Sequence, residues 1–119
     1  MIQQGDVYWV NFGLPQGSEA GFSRPVVVVQ NNLVNASRIN TVIVCPLTSN
    51  VSRAKAPGNV LVRAGEVGLD DDSVVNVSLI NHLNKDQLGD YVGTLEGARL
   101  FDILDGIQRL LEPREPPRT

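Results

Sequence analysis

Two stretches decide the fold of this chain: Arg24-Pro25-Val26-Val27-Val28-Val29 and Val42-Ile43-Val44-Cys45-Pro46-Leu47-Thr48. Each is a short, near-continuous run of apolar and mostly β-branched residues. Such runs read as strands buried on both faces, because a strand with one wet face would alternate apolar and polar residues. Each run also has a polar residue at one end. Arg24 opens the first, and Thr48 closes the second. The end of a buried strand is a rigid place to hold a functional side chain. A planar guanidinium fork beside a hydroxyl suits a phosphate better than a carbonyl or a metal.

Working outward, Gly5 to Phe12 reads as a preceding strand, rich in aromatic and β-branched residues. Gly13 to Ser23, with Pro15, Gly17, Ser18 and Gly21, is a connection long enough to suggest function. Pro25 to Gln30 and Thr41 to Leu47 are the central strands, and Asn31 to Asn40 between them holds capping residues for a short helical turn. Ser49 to Gly58 reads as a polar loop, Asn59 to Arg63 as a short strand and Ser73 to Ser78 as another, followed by a polar connection to Lys85. Asp86 to Gly89 is expected to form a helical turn, and Tyr91 to Thr94 a last short strand. Leu100, Ile103, Leu104, Ile107, Leu110 and Leu111 recur at helical spacing, with Glu96 near the favourable start and Pro113 as a stop. Gly106 inside that helix costs about 1 kcal/mol relative to Ala. Many short strands and one terminal helix predict a mainly β, α+β fold: a small antiparallel barrel with a C-terminal helix packed on it. Residues 1–112 form one expected domain and 113–119 a flexible tail.

The chain has 119 residues, 42% hydrophobic and 19% charged, which suits an ordinary globular domain with one core. Its single cysteine, Cys45, lies inside a strand, so no internal disulfide is expected. One Cys and one His, His82, give no zinc cluster. No signal-peptide pattern or membrane-length apolar run is present, so a cytoplasmic location and no membrane partner are expected. The net charge of −3 weighs mildly against a nucleic-acid partner. Its distribution softens that objection. In residues 1–65, Arg24, Arg38, Arg53, Lys55 and Arg63 face only Asp6 and Glu19, whereas residues 66–119 carry the acidic excess. A polyanion would prefer surfaces built from the first half.

No glycine-rich phosphate loop, nucleophile elbow or zinc-protease helix is present. His82 follows a strand and reads as a surface histidine. Asp70-Asp71-Asp72 is the one acid run with the charge to cage a cation, and it reads more simply as an acidic turn. That leaves Glu19, Arg24, Thr48 and Ser49. Arg24 either pairs with Glu19 as a strand-end ion pair or clamps a phosphate. Two preorganised donors make a useful catalyst when the substrate brings its own nucleophile. RNA does so through its 2'-hydroxyl, and attack there needs neither a metal nor any other cofactor.

The ordered set Gly5-Asp6-Val7-Tyr8-Trp9, Gly17-Ser18-Glu19, Arg24-Pro25-Val26-Val27-Val28 and Cys45-Pro46-Leu47-Thr48-Ser49 resembles the MazF/PemK family of toxin endoribonucleases. Pro57-Gly58-Asn59-Val60, Gly68-Leu69, Asp72-Ser73-Val74-Val75, Leu83-Asn84-Lys85 and Val92-Gly93 continue the match, which covers about residues 5 to 111. The resemblance implies an SH3-like barrel and a homodimer built near Arg24 to Gln30 and the terminal helix. It also implies metal-independent, sequence-specific cleavage of single-stranded RNA to 2',3'-cyclic phosphate and 5'-hydroxyl ends, and a cognate antitoxin that occludes the RNA groove. The family's catalytic arginine, threonine and loop glutamate fall on Arg24, Thr48 and Glu19. Glu19 would either orient Arg24 or help deprotonate the 2'-hydroxyl. Ser18, Phe22, Ser49, Asn50 and Asn76 are the expected RNA contacts. One departure stands out: where many relatives continue with Gln-x-Arg, this chain has Leu79 and Asn81, which places more of the chemistry on Arg24. Two other readings remain. One is a same-fold toxin that inhibits DNA gyrase without catalysis, which the retained Arg-Pro-Val and Leu-Thr-Ser segments disfavour. The other is an SH3-like protein-binding module, disfavoured by an aromatic content of only 5%.

Overall fold

The two apolar runs become the central strands of a curled, half-barrel sheet. The computed structural model describes residues 1–13 and 22–113. Its strands are β1 (Asp6–Asn11), β2 (Ser23–Val28), β3 (Thr41–Thr48), β4 (Val60–Val62), β5 (Ser73–Val75), β6 (Asn81–Asn84) and β7 (Tyr91–Thr94). Two helices accompany them, α1 (Asn32–Asn35) and α2 (Gly97–Leu111). All pairings are antiparallel, and the order across the sheet is β4-β5-β3-β2-β1-β7, with β6 also on β3.

Val26, Val27 and Val28 are fully buried, so β2 has no wet face, as its sequence predicts. One face of the sheet packs Val7, Val27, Cys45, Leu47 and Val75 against Ile103 of α2. The other encloses Val10, Val26, Val28, Val42, Val44 and Leu83. Side-chain alternation along β2 and β3 thus feeds two cores from the same strands.

The expected strand over Ser73 to Ser78 is shorter than its sequence suggests. β5 stops at Val75, and Val77–Leu79 turns as a 3-10 segment. β3 supplies the reason. Its outer edge pairs with β6 through Thr41 to Val44 and with β5 through Leu47 and Thr48. Between them lies Pro46, whose carbonyl accepts from Asn76 N–H at 2.9 Å but which offers no N–H in return. The ladder is interrupted there and the chain leaves the sheet. The expected polar connection to Lys85 is in fact β6, with His82 opposite Ile43 and exposed. Within the expected loop Ser49 to Gly58, Val51–Lys55 forms a 3-10 turn.

Helix α2 follows the expected spacing, with two differences. Leu110 and Leu111 are exposed rather than part of the buried stripe. Gly106 is buried against Gly58: a Cβ at Gly106 would lie 3.1 Å from the Gly58 carbonyl carbon, with the oxygen closer still. The glycine that weakens the helix is the one that lets it dock. Asp6, 4% exposed, closes the half-barrel. Its carboxylate accepts from Gln3 N–H (2.9 Å), Tyr8 Oη (3.1 Å) and Thr94 Oγ1 (2.7 Å), joining the N-terminus, β1 and β7. Cys45 is fully buried as a small hydrophobe, and burial pushes its thiol up to about 12.

Candidate functional site

Register brings the two polar strand ends together. Val26 faces Pro46 and Val28 faces Val44 across β2 and β3. Arg24 and Thr48 each lie two residues beyond the end of that ladder, on its β2 and β3 strands. On their other edges Arg24 pairs with Val10 of β1, and Thr48 with Val74 of β5. Each backbone is thus held by a neighbouring strand on that edge.

Arg24, Phe22 and Ser49 line an open cleft of about 380 Å³, together with Trp9, Asp70, Asp71 and Ser73. Thr48 is not among the lining residues, although its neighbours Leu47 and Ser49 are. Arg24 is half-buried, and its Nε is buried without a hydrogen-bond partner. It forms no salt bridge among the described residues. A buried guanidinium N–H without a partner costs free energy, and the rest of the Arg24 fork remains a donor set suited to an anion. The Thr48 hydroxyl oxygen accepts from Asn50 N–H at 3.2 Å, which leaves its own proton free to donate. Phe22 adopts a left-handed backbone (φ 59°) and exposes its ring at the cleft. Such a conformation is unfavourable for a bulky residue and tends to occur where function needs it.

The remaining expected contacts fall differently. The Asn50 side chain caps the 3-10 turn, accepting from Ser52 N–H (3.3 Å) and Ser52 Oγ (2.6 Å). Asn76 lies past the end of β5, where its side-chain oxygen accepts from Ser78 Oγ at 2.9 Å. Neither lines the cleft. Ser18 and Glu19 lie outside the described residues. Sequence reasoning overlooked Trp9 and weighed Asp70 and Asp71 as part of a cation cage or, more simply, of an acidic turn. Trp9 shares its strand face with buried Val7, and that alternation concealed its exposed position at the cleft.

Fold and cleft together define a small half-barrel protein with an open, charged cleft at the ends of its central strands. The family model for the PemK-like, MazF-like toxin of type II toxin-antitoxin systems matches residues 3–111. The chain is 41% identical over 112 residues to Endoribonuclease MazF2 of Mycobacterium bovis, covering 94% of this chain and 98% of that protein. It is 36% identical over 103 residues to Endoribonuclease MazF of Staphylococcus epidermidis, covering 87% and 85% respectively. A mycobacterial endoribonuclease solved in complex with its cognate antitoxin superposes with a TM-score of 0.71 at 27% identity, covering 97% of each chain. The chain belongs to the PemK-like, MazF-like toxin family.

Proposed function

We propose that this chain is a toxin endoribonuclease that cleaves single-stranded RNA at short sequence motifs without a metal. The observation that carries this reading is Arg24, which lines the cleft and whose Nε has no hydrogen-bond partner among the described residues. In the reaction the substrate's 2'-oxygen attacks the adjacent phosphorus and loses its proton. The bond from phosphorus to the 5'-oxygen breaks, and that oxygen gains a proton. A 2',3'-cyclic phosphate and a 5'-hydroxyl result. The chain has to neutralise charge building on the phosphoryl oxygens. Arg24 supplies a permanent positive charge with a directed fork, and Thr48 supplies a hydroxyl whose position is set by its bond from Asn50. One preorganised donor of this kind lowers the barrier by about 2.7–4 kcal/mol. Glu19 serves this pair, either by orienting Arg24 or by taking the 2'-hydroxyl proton.

The names of the relatives, both endoribonucleases, support the activity. The mycobacterial complex supports regulation by a cognate antitoxin. Exposed Phe101 and Leu111 on α2 support self-association as a homodimer. No helix among the described residues is long and apolar enough to cross a membrane, and the site of action is the cytoplasm, where mRNA is found. The test is digestion of single-stranded RNA in EDTA by wild type and Arg24→Ala, with circular dichroism to monitor folding. Cleavage by the wild type and none by a folded Arg24→Ala is expected. Undiminished cleavage by that variant would remove Arg24 from the chemistry.

A further inference from the structure

We infer that Asp70 and Asp71, which line the same cleft as Arg24, form a base-selecting subsite that favours a nucleobase carrying an amino group and rejects uracil. This rests on the endoribonuclease reading above and extends it to specificity. Of the three consecutive acids, Asp72 is used structurally: it accepts from Ala64 N–H at 2.7 Å and pairs with Arg63 at 3.6 Å. Asp70 and Asp71 are exposed, line the same cleft as Arg24, and form no side-chain hydrogen bond or ion pair among the described residues.

Two free carboxylates beside an unpaired arginine would seem self-defeating in a phosphate site, because they repel the backbone they help enclose. The arrangement fits a nucleotide with two chemically different ends. Its phosphate goes to Arg24, and the base edge goes to the acids. Ionised carboxylates only accept hydrogen bonds. Cytosine, adenine and guanine offer amino donors on their Watson–Crick edges, and an acidic side chain accepting from such an amino group is an established pairing in base recognition. Uracil offers one imino N–H flanked by two carbonyl oxygens, which face the carboxylates unfavourably. Trp9 and Phe22, the exposed aromatics of the cleft, provide faces on which a splayed base can stack.

The test is cleavage of a randomised single-stranded RNA pool in EDTA, with sequencing of the 5'-hydroxyl ends. The enzymes are wild type, the double variant Asp70→Asn/Asp71→Asn, and Asp72→Asn as a control, with thermal melts of each. Wild type is expected to deplete uracil at one position near the cut. In the double variant the amide can donate to uracil carbonyls, and uracil at that position should rise by about tenfold relative to the amino-bearing bases. Asp72→Asn should lower the melting temperature and leave the base profile as in wild type. A wild type that cuts with no depletion of uracil overturns the inference, as does a double variant with an unchanged profile, while in either case the cleavage assignment stands. Failure of the folded wild type to cut any member of the pool overturns the endoribonuclease reading itself and the inference with it.

Discussion

Replacing Gly106 with alanine separates helix propensity from tertiary packing. Propensity alone favours alanine in a helix interior by about 0.8–1.0 kcal/mol. The structure opposes it. An added Cβ would sit 3.1 Å from the carbonyl carbon and 3.2 Å from the Cα of Gly58, with the carbonyl oxygen nearer. Ordinary carbon contacts need ~3.5–4.0 Å. Neither side yields easily, because both are backbone. Gly58 sits at φ +81°, and a Cβ there would meet the Gly106 carbonyl oxygen and Val77 Cγ2, each at 3.0 Å. Helix α2 is pinned by buried Ile103 and by the Arg99–Glu66 ion pair at 2.6 Å. Overpacking of this kind costs about 1–3 kcal/mol, and rigid neighbours put it at the upper end. Against the propensity gain, Gly106→Ala should lose a net ~1–2 kcal/mol. Each kcal/mol lowers the melting temperature of a small domain by about 4–8 °C. Urea titration followed by far-ultraviolet circular dichroism measures the effect, with the exposed Gln108→Ala as a helix-propensity control. A more stable Gly106→Ala would show that α2 does not rest on Gly58.

Thr48→Ala should lower cleavage by about 10²–10³-fold with an unchanged melt, while Thr48→Ser keeps most activity, since only the hydroxyl is needed; equal loss in both variants would count against the donor role. Asp6→Ala leaves Gln3 N–H, Tyr8 Oη and Thr94 Oγ1 without their acceptor and should cost about 3 kcal/mol or more in urea unfolding. A loss below about 1 kcal/mol would contradict its closing role. The Cys45 thiol is raised by burial from 9.0 to about 12. The Tyr8 hydroxyl is raised from 10.0 to about 12, first by burial and then by Asp6. Both groups hold their protons longer when folded, so their contribution is complete below pH 9 and is lost as pH climbs towards 12. Stability should begin to fall above pH 9, by up to about 1.4 kcal/mol per pH unit for the thiol. Cys45→Ala should start from a lower baseline but fall less between pH 9 and 10; a slope identical to wild type would show that the thiol is not the cause.

Much of the fold is legible in local pattern. The valine runs announce β2 and β3 as strands because their apolar residues do not alternate; burial on both faces holds over Val26 to Val28 and Val44 to Leu47, whereas Ile43 of β3 is exposed. Asn31 announces α1, and its side chain accepts from Val34 N–H at 3.0 Å. The Leu100 to Ile107 spacing announces α2. Arg24 and Thr48 stand out in the sequence as candidates because a charged and a hydroxyl residue close apolar runs in which nothing else is polar, and the structure places Arg24 at the cleft. Less legible were β6, whose Asn81 and His82 read as connection until β3 supplied a partner, and the early end of β5, which depends on the absent N–H of Pro46.

By itself the sequence determined which segments are strands and helix, which residues could bind an anion, and the family to which the whole pattern is similar. These are properties of spacing and residue type, carried within a few positions of the chain. Only the tertiary structure decided that Arg24 lines a cleft with Phe22 and Ser49, that Gly106 is a contact surface, and that Asp6 is a buried acceptor for three elements. It also decided that Asp72 is engaged while Asp70 and Asp71 face the cleft. Those outcomes depend on strand register and sheet closure. A shift of one residue in pairing would move every side chain to the other face, so they are set by the sum of distant contacts rather than by any local stretch.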